Sequence, residues 1–134
     1  MKRATLFTAL LLLAASTKAE WVVISKSAED GITLSIDPTS ITSEGQFARI
    51  WELWEFEIPL ALRGHVENDL YPNSLLALSE FDCHQRRRRY LQKTTYSKPH
   101  ASGEVRLTSG EESWIFVPPG TSLADEMSRV CRGK

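Results

Sequence analysis

The chain has 134 residues, 16 Lys and Arg against 17 Asp and Glu, a net charge of −1 and a hydrophobic content of 42%. That is one domain's worth of residues, too short for a multidomain enzyme and too evenly charged for a globally basic nucleic-acid binder. Its ordinary hydrophobicity and small net charge also exclude a disordered chain.

Met1–Arg3 is a short positive stretch, Leu6–Ala15 is apolar, and Thr17-Lys18-Ala19 sets small residues before a cut. This is the pattern of a secretory signal, predicted to be removed after Ala19 with Ala15 as the second choice. The apolar run is about ten residues, short of the roughly 20 needed to span a bilayer. No second apolar stretch approaches that length, and no cysteine follows the run to carry a lipid. The expectation is a leader over residues 1–19 and one exported domain over residues 20–134. That domain has no membrane span and no lipid anchor, and it is mildly acidic once the leader's cations are gone.

Trp21–Ser25 is β-branched and aromatic, and Ile32–Ile36 alternates apolar with hydroxyl residues, as a half-buried strand does. Asp37-Pro38 is predicted to end that strand, because proline lacks a donor and restricts its predecessor. After the turn Ser43-Glu44-Gly45, Phe47–Phe56 reads as a long strand. Ile50, Trp54 and Phe56 share one face, and Trp51 and Leu53 the other. Apolar groups on both faces suggest a central strand, or one whose second face meets a partner.

Leu60–Asn73 reads as a long connection. Leu75–Cys83 and Arg87–Tyr96 follow as strands around a tight turn near His84-Gln85. Ser97–Gly103 reads as a loop, Glu104–Leu107 as a short strand, and Ser113–Val117 as the last strand. The period then changes. Leu123, Met127, Val130 and Cys131 form one helical stripe, with Ser122 as the predicted cap and Asp125 three residues on. Asp125, Glu126, Arg129 and Arg132 match the helix dipole, and Gly133 is placed to end the helix. The predicted fold is α+β: an antiparallel sheet of about six strands with one C-terminal helix on a face.

Cys83 ends a strand and Cys131 lies on the apolar stripe of the helix. In an oxidising compartment two cysteines in a small domain pair, and the bond would tie the helix to the sheet across 48 residues. A reactive thiol beside His84 is the rival reading, but neighbours on a strand point to opposite faces.

Several features then add up to a resemblance. In order they are Trp21, Ile36-Asp37 with Ser40-Ile41, the Trp51/Trp54 strand, Asp82-Cys83 before arginines, Tyr96, Gly103, Trp114, Pro119-Gly120 and Val130-Cys131. That order resembles the bacterial surface-adhesin E family over nearly all of the exported chain. The resemblance implies a six-stranded antiparallel sheet, a C-terminal helix held by a disulfide, and adhesion to host matrix and plasma proteins. The founding type is lipid-anchored, and this sequence departs from it in lacking the lipid-site cysteine.

Arg86-Arg87-Arg88-Arg89 is the sharpest charge feature, a candidate partner-binding patch for heparin-like glycans, phosphate or an acidic protein surface. On a strand the four alternate in direction. Pairing with Glu80 and Asp82 plus solvation is therefore the first reading, each pair worth well under about 1 kcal/mol. Trp51 and Trp54 are the aromatic candidates for a partner surface. His65, His84 and His100 have no metal-ligand spacing, and no nucleophile, phosphate-loop or cofactor motif appears, so neither metal nor cofactor is expected. The first functional reading is an exported, non-catalytic protein-binding module. Its partner would be a host matrix protein, an envelope component or a second copy of the chain. The alternatives are a structural or accessory envelope subunit that docks through an apolar sheet face, and, with least support, a small hydrolase.

Overall fold

The computed structural model describes residues 18–57 and 73–133. The predicted leader up to Thr17 and the connection from Leu60 to Pro72, with His65, lie outside the described residues.

Among the described residues, seven strands and one helix follow in chain order. They are β1 (Val22–Ser27), β2 (Ile32–Glu44), β3 (Phe47–Phe56), β4 (Ser74–Asp82), β5 (Arg87–Lys98), β6 (Ser102–Ser109), β7 (Ile115–Phe116) and α1 (Ser122–Val130). All pairings are antiparallel. The order across the sheet is β1-β2-β3-β4-β5-β6, and β7 adds to β5. Sequential neighbours from β1 to β6 are spatial neighbours, the simplest arrangement short connections allow. β3 is central, as apolar residues on both its faces implied: Ile50 is 0% exposed and Leu53 3%.

The predicted end of β2 at Pro38 is wrong. The strand runs on to Glu44, but the ladder with β3 breaks between Asp37, opposite Trp51, and Thr42, opposite Arg49. Pro38 falls inside that break, where its missing donor costs no ladder bond. Side chains stitch the gap. Asp37 accepts from the backbone N–H of Thr39 (3.0 Å), and Ser40 Oγ donates to Asp37 O and accepts from Trp51 N–H. β5 and β6 are also longer than predicted and enclose only a short turn at residues 99–101. The cap of α1 is Thr121, not Ser122: Thr121 is extended and its hydroxyl accepts from Ala124 N–H. The two residues are chemically equivalent caps, so only backbone geometry could choose between them.

Gly31 turns β1 into β2 at φ +67°, and Glu57 N–H donates to its carbonyl at 2.7 Å. A Cβ there would sit 2.3 Å from Glu57 O, so no other residue fits.

One apolar cluster contains Ile36, Ala48, Ile50, Phe81, Val117, Met127 and Val130. Two of these belong to the helix stripe. Cys83 and Cys131 form the predicted disulfide, with Cα atoms 5.7 Å apart, and so join the end of β4 to the end of α1.

Candidate functional site

The four arginines leave a turn rather than a flat strand. Asp82, fully buried at the end of β4, organises it. One carboxylate oxygen accepts from Gln85 N–H (3.0 Å), His84 N–H (3.2 Å) and Gln46 Nε2 (3.1 Å), and the other from Arg87 Nε (3.1 Å). Burial alone would raise this carboxyl. The hydrogen bonds, that of Gln85 foremost, hold it below the usual carboxylate range. The turn places Arg86 at φ +51° and exposed, and from there the strand alternation sends its neighbours to opposite faces.

Arg87 and Arg89 share the outer face, where both guanidinium groups lie over the Trp114 ring, 4.8 and 4.5 Å from its centroid. Phe47 stacks on the same ring at 5.9 Å. Glu80 is bonded by Arg49 Nε and Arg89 Nη2, each at 2.7 Å, and Arg89 also meets Glu111. Burial works to raise the Glu80 carboxyl, but its hydrogen bonds to Arg49 and Arg89 bring it below its ordinary value. The expected pairing with Glu80 and Asp82 is therefore present. These acids are almost fully buried, so the pairs are not the solvated surface bridges the sequence suggested.

Arg88 corrects the charge-run reading outright. It points inward, its side chain 4% exposed, and its Nη2 meets both oxygens of Glu52 at 3.2 Å and Ser79 Oγ at 3.1 Å. Its guanidinium lies 4.2 Å from the Tyr90 ring centroid. Trp54 Nε1 donates to Glu52 Oε2 at 2.7 Å, so Trp54 supports this cluster, while half-buried Trp51 lies on the opposite face of β3.

Glu126 of α1 completes the group. It is 0% exposed, and both its oxygens lack a donor. Burial, then the neighbouring Glu52 carboxylate, pushes its carboxyl well above the ordinary range. Two buried carboxyls beside one guanidinium carry a net negative charge unless one keeps its proton. A protonated Glu126 satisfies both constraints, since it can donate to Glu52. Tyr90, which burial foremost pushes up to about 12, stays neutral beside them.

This is a structural cluster. Glu52, Arg88 and Glu126 are at most 3% exposed, so a substrate atom has no access to the carboxyls. Sequence reasoning did not assemble it, although a signal exists. Glu126 lies three residues from Leu123 and four from Val130, an acid on the apolar stripe, and Glu52 alternates with Ile50 and Trp54. Of the histidines, His84 and His100 sit in exposed turns, with His100 Nδ1 2.9 Å from Glu55.

The third feature is an edge. β6 and β7 pair on the same side of β5, and no strand among the described residues pairs beyond β6. Val105, Leu107, Ile115 and Phe116 on this edge are 58%, 63%, 50% and 64% exposed.

The sequence profile described as Surface-adhesin protein E matches residues 21–132. No curated protein sequence matches the chain. Among solved structures, protein E of Haemophilus influenzae in crystal form II is similar at 15% identity and TM-score 0.56, over 73% of this chain and 79% of that one. A selenomethionine form of the same H. influenzae protein gives 15% and 0.57, over 75% and 79%. At such identity the likeness is one of fold.

Proposed function

This chain belongs to the surface-adhesin protein E family, and we propose that it is an exported, non-catalytic module that binds a protein partner at the cell envelope or surface. The observation that carries this reading is the β6–β7 edge, which no strand among the described residues pairs, with its four exposed apolar side chains. An unpaired strand presents a row of N–H and C=O groups, and a partner strand that adds there gains main-chain hydrogen bonds together with apolar contact. Export by a leader over residues 1–19 is supported by the disulfide, which persists in oxidising compartments. The non-catalytic reading is supported by the closure of the buried carboxyl cluster to solvent. In this reading α1 lies on the inner face through Met127 and Val130, which leaves the edge and the outer arginines to a host matrix protein or an envelope component.

A second copy of the chain is the competing occupant. Antiparallel self-pairing centred on Val105 sets Glu104 against Arg106 twice, two complementary pairs across a twofold axis. The test is capture from matrix proteins and envelope extract by the intact protein and by V105K/L107K, with sedimentation of both. A specific partner held by the parent and lost by the variant supports the reading. Equal capture by both refutes it, and a parent dimer that the variant dissociates gives the edge to self-association.

A further inference from the structure

The β2–β3 ladder breaks between Asp37 and Thr42, and a cavity of about 360 Å³ is lined by this stretch of β2 and the end of α1. Its accessible apolar lining is Pro38 and Ile41, with Ile36 and Val130 buried beneath them. Ile36 and Val130 are buried members of the core, and Ile41 packs on it. Ser43, Arg129 and Arg132 form a polar rim, all three exposed.

The two rim guanidinium groups differ from the arginines of β3, β5 and β6. Arg49, Arg87, Arg88, Arg89 and Arg106 each face a carboxylate. The side chains of Arg129 and Arg132 have no hydrogen-bond or ion-pair partner among the described residues. Cations in a last helical turn complement the helix dipole, which accounts for a positive charge at this end. It does not account for two unpaired guanidinium groups and a hydroxyl set around an apolar hollow.

We propose that this cavity captures the C-terminal residue of a partner polypeptide, its apolar side chain against Pro38 and Ile41 and its α-carboxylate between Arg129 and Arg132. Guanidinium is the side chain best shaped for a carboxylate, which it holds by paired charge-assisted hydrogen bonds. The apolar lining lies directly beside the rim, the separation of a side chain from its own α-carboxylate. The volume is at the lower end of ligand cavities, which suits one residue rather than a long acyl chain. The exposed side at Ser43 leaves an exit for the preceding residues of the partner. This cavity is separate from the β6–β7 edge, so edge variants leave it unaltered.

The experiment is a titration of the intact protein with acetyl-Gly-Ser-Gly-Leu, followed by the methyl resonances of Ile36, Ile41 and Val130. The free-acid peptide is expected to shift all three. The same peptide with a C-terminal amide is expected to bind about tenfold more weakly, since its neutral head cannot make the charge-assisted bonds. R129S/R132S should lose about the same factor while its spectrum keeps the parent's dispersion, and the acid–amide comparison needs no variant at all. Equal binding of acid and amide overturns the proposal, as does the absence of shifts at these methyl groups up to millimolar peptide. 4-Methylpentanoate, with the same body and head but no chain, overturns the polypeptide source if it binds as tightly as the peptide.

Discussion

Replacing Glu126 by glutamine tests the buried carboxyl pair through the dependence of stability on pH. The sign follows from the direction of the shift. In the folded protein Glu126 holds its proton well above 4.5, the ordinary value it regains on unfolding. The native state therefore binds more protons than the unfolded state throughout that interval, and stability falls as pH rises through it. Glu126's contribution is fully present below about pH 4.5 and is lost as pH climbs through the folded pKa, beyond which the curve levels. Within the interval the loss is about 1.4 kcal/mol per pH unit, the free-energy equivalent of one proton. A glutamine side chain has nearly the same shape, stays neutral at every pH and can donate its amide to Glu52. E126Q should match the parent near pH 4.5 and exceed it increasingly above. Asp82 and Glu80, both held below their ordinary values, act in the opposite direction, their stabilisation being lost as pH falls. The difference between E126Q and parent cancels them. Urea unfolding with the disulfide intact, at half-unit steps from pH 4 to 9, measures that difference. Parallel curves for the two proteins would refute a protonated Glu126.

Arg88→Ser and Arg86→Ser should separate widely although the residues are two apart. The first strands Glu52 in the interior and costs about 3–5 kcal/mol, the second stays within about 0.5 kcal/mol, and similar thermal shifts for both would contradict the inward Arg88. Cys131→Ser should lower stability by about 2–5 kcal/mol, with faster amide exchange appearing first in α1. Two titratable thiols in the unreduced, denatured parent would end that expectation. The protein purified from its own host should begin at Glu20, and N-terminal sequencing that returns Met1 would remove the export argument.

What was legible in the residues was whatever depends on neighbours in the chain. Alternation in Phe47–Phe56, the stripe Leu123, Met127, Val130 and Cys131, and a breaker such as Gly45 mark strands, helix and turns because those periods are local. The cysteine pair was legible for another reason: with two cysteines and a predicted export signal, only one intramolecular bond can form. The extent of β2 was not legible, since Pro38 ends a strand only where its missing donor would leave a ladder bond unmade. Whether a bond is due there depends on the ladder with Trp51 and Arg49 in β3. The fate of the arginine run was decided in the same way. Alternation assigns Arg88 one face and Arg87 and Arg89 the other, but it does not say which face is closed. Burial beside Glu52 and Glu126 makes Arg88 an interior charge, while Asp82 and Glu80 hold its neighbours against Trp114. Charge acquires its meaning from desolvation, and desolvation is a property of the packed tertiary structure rather than of any segment of the chain.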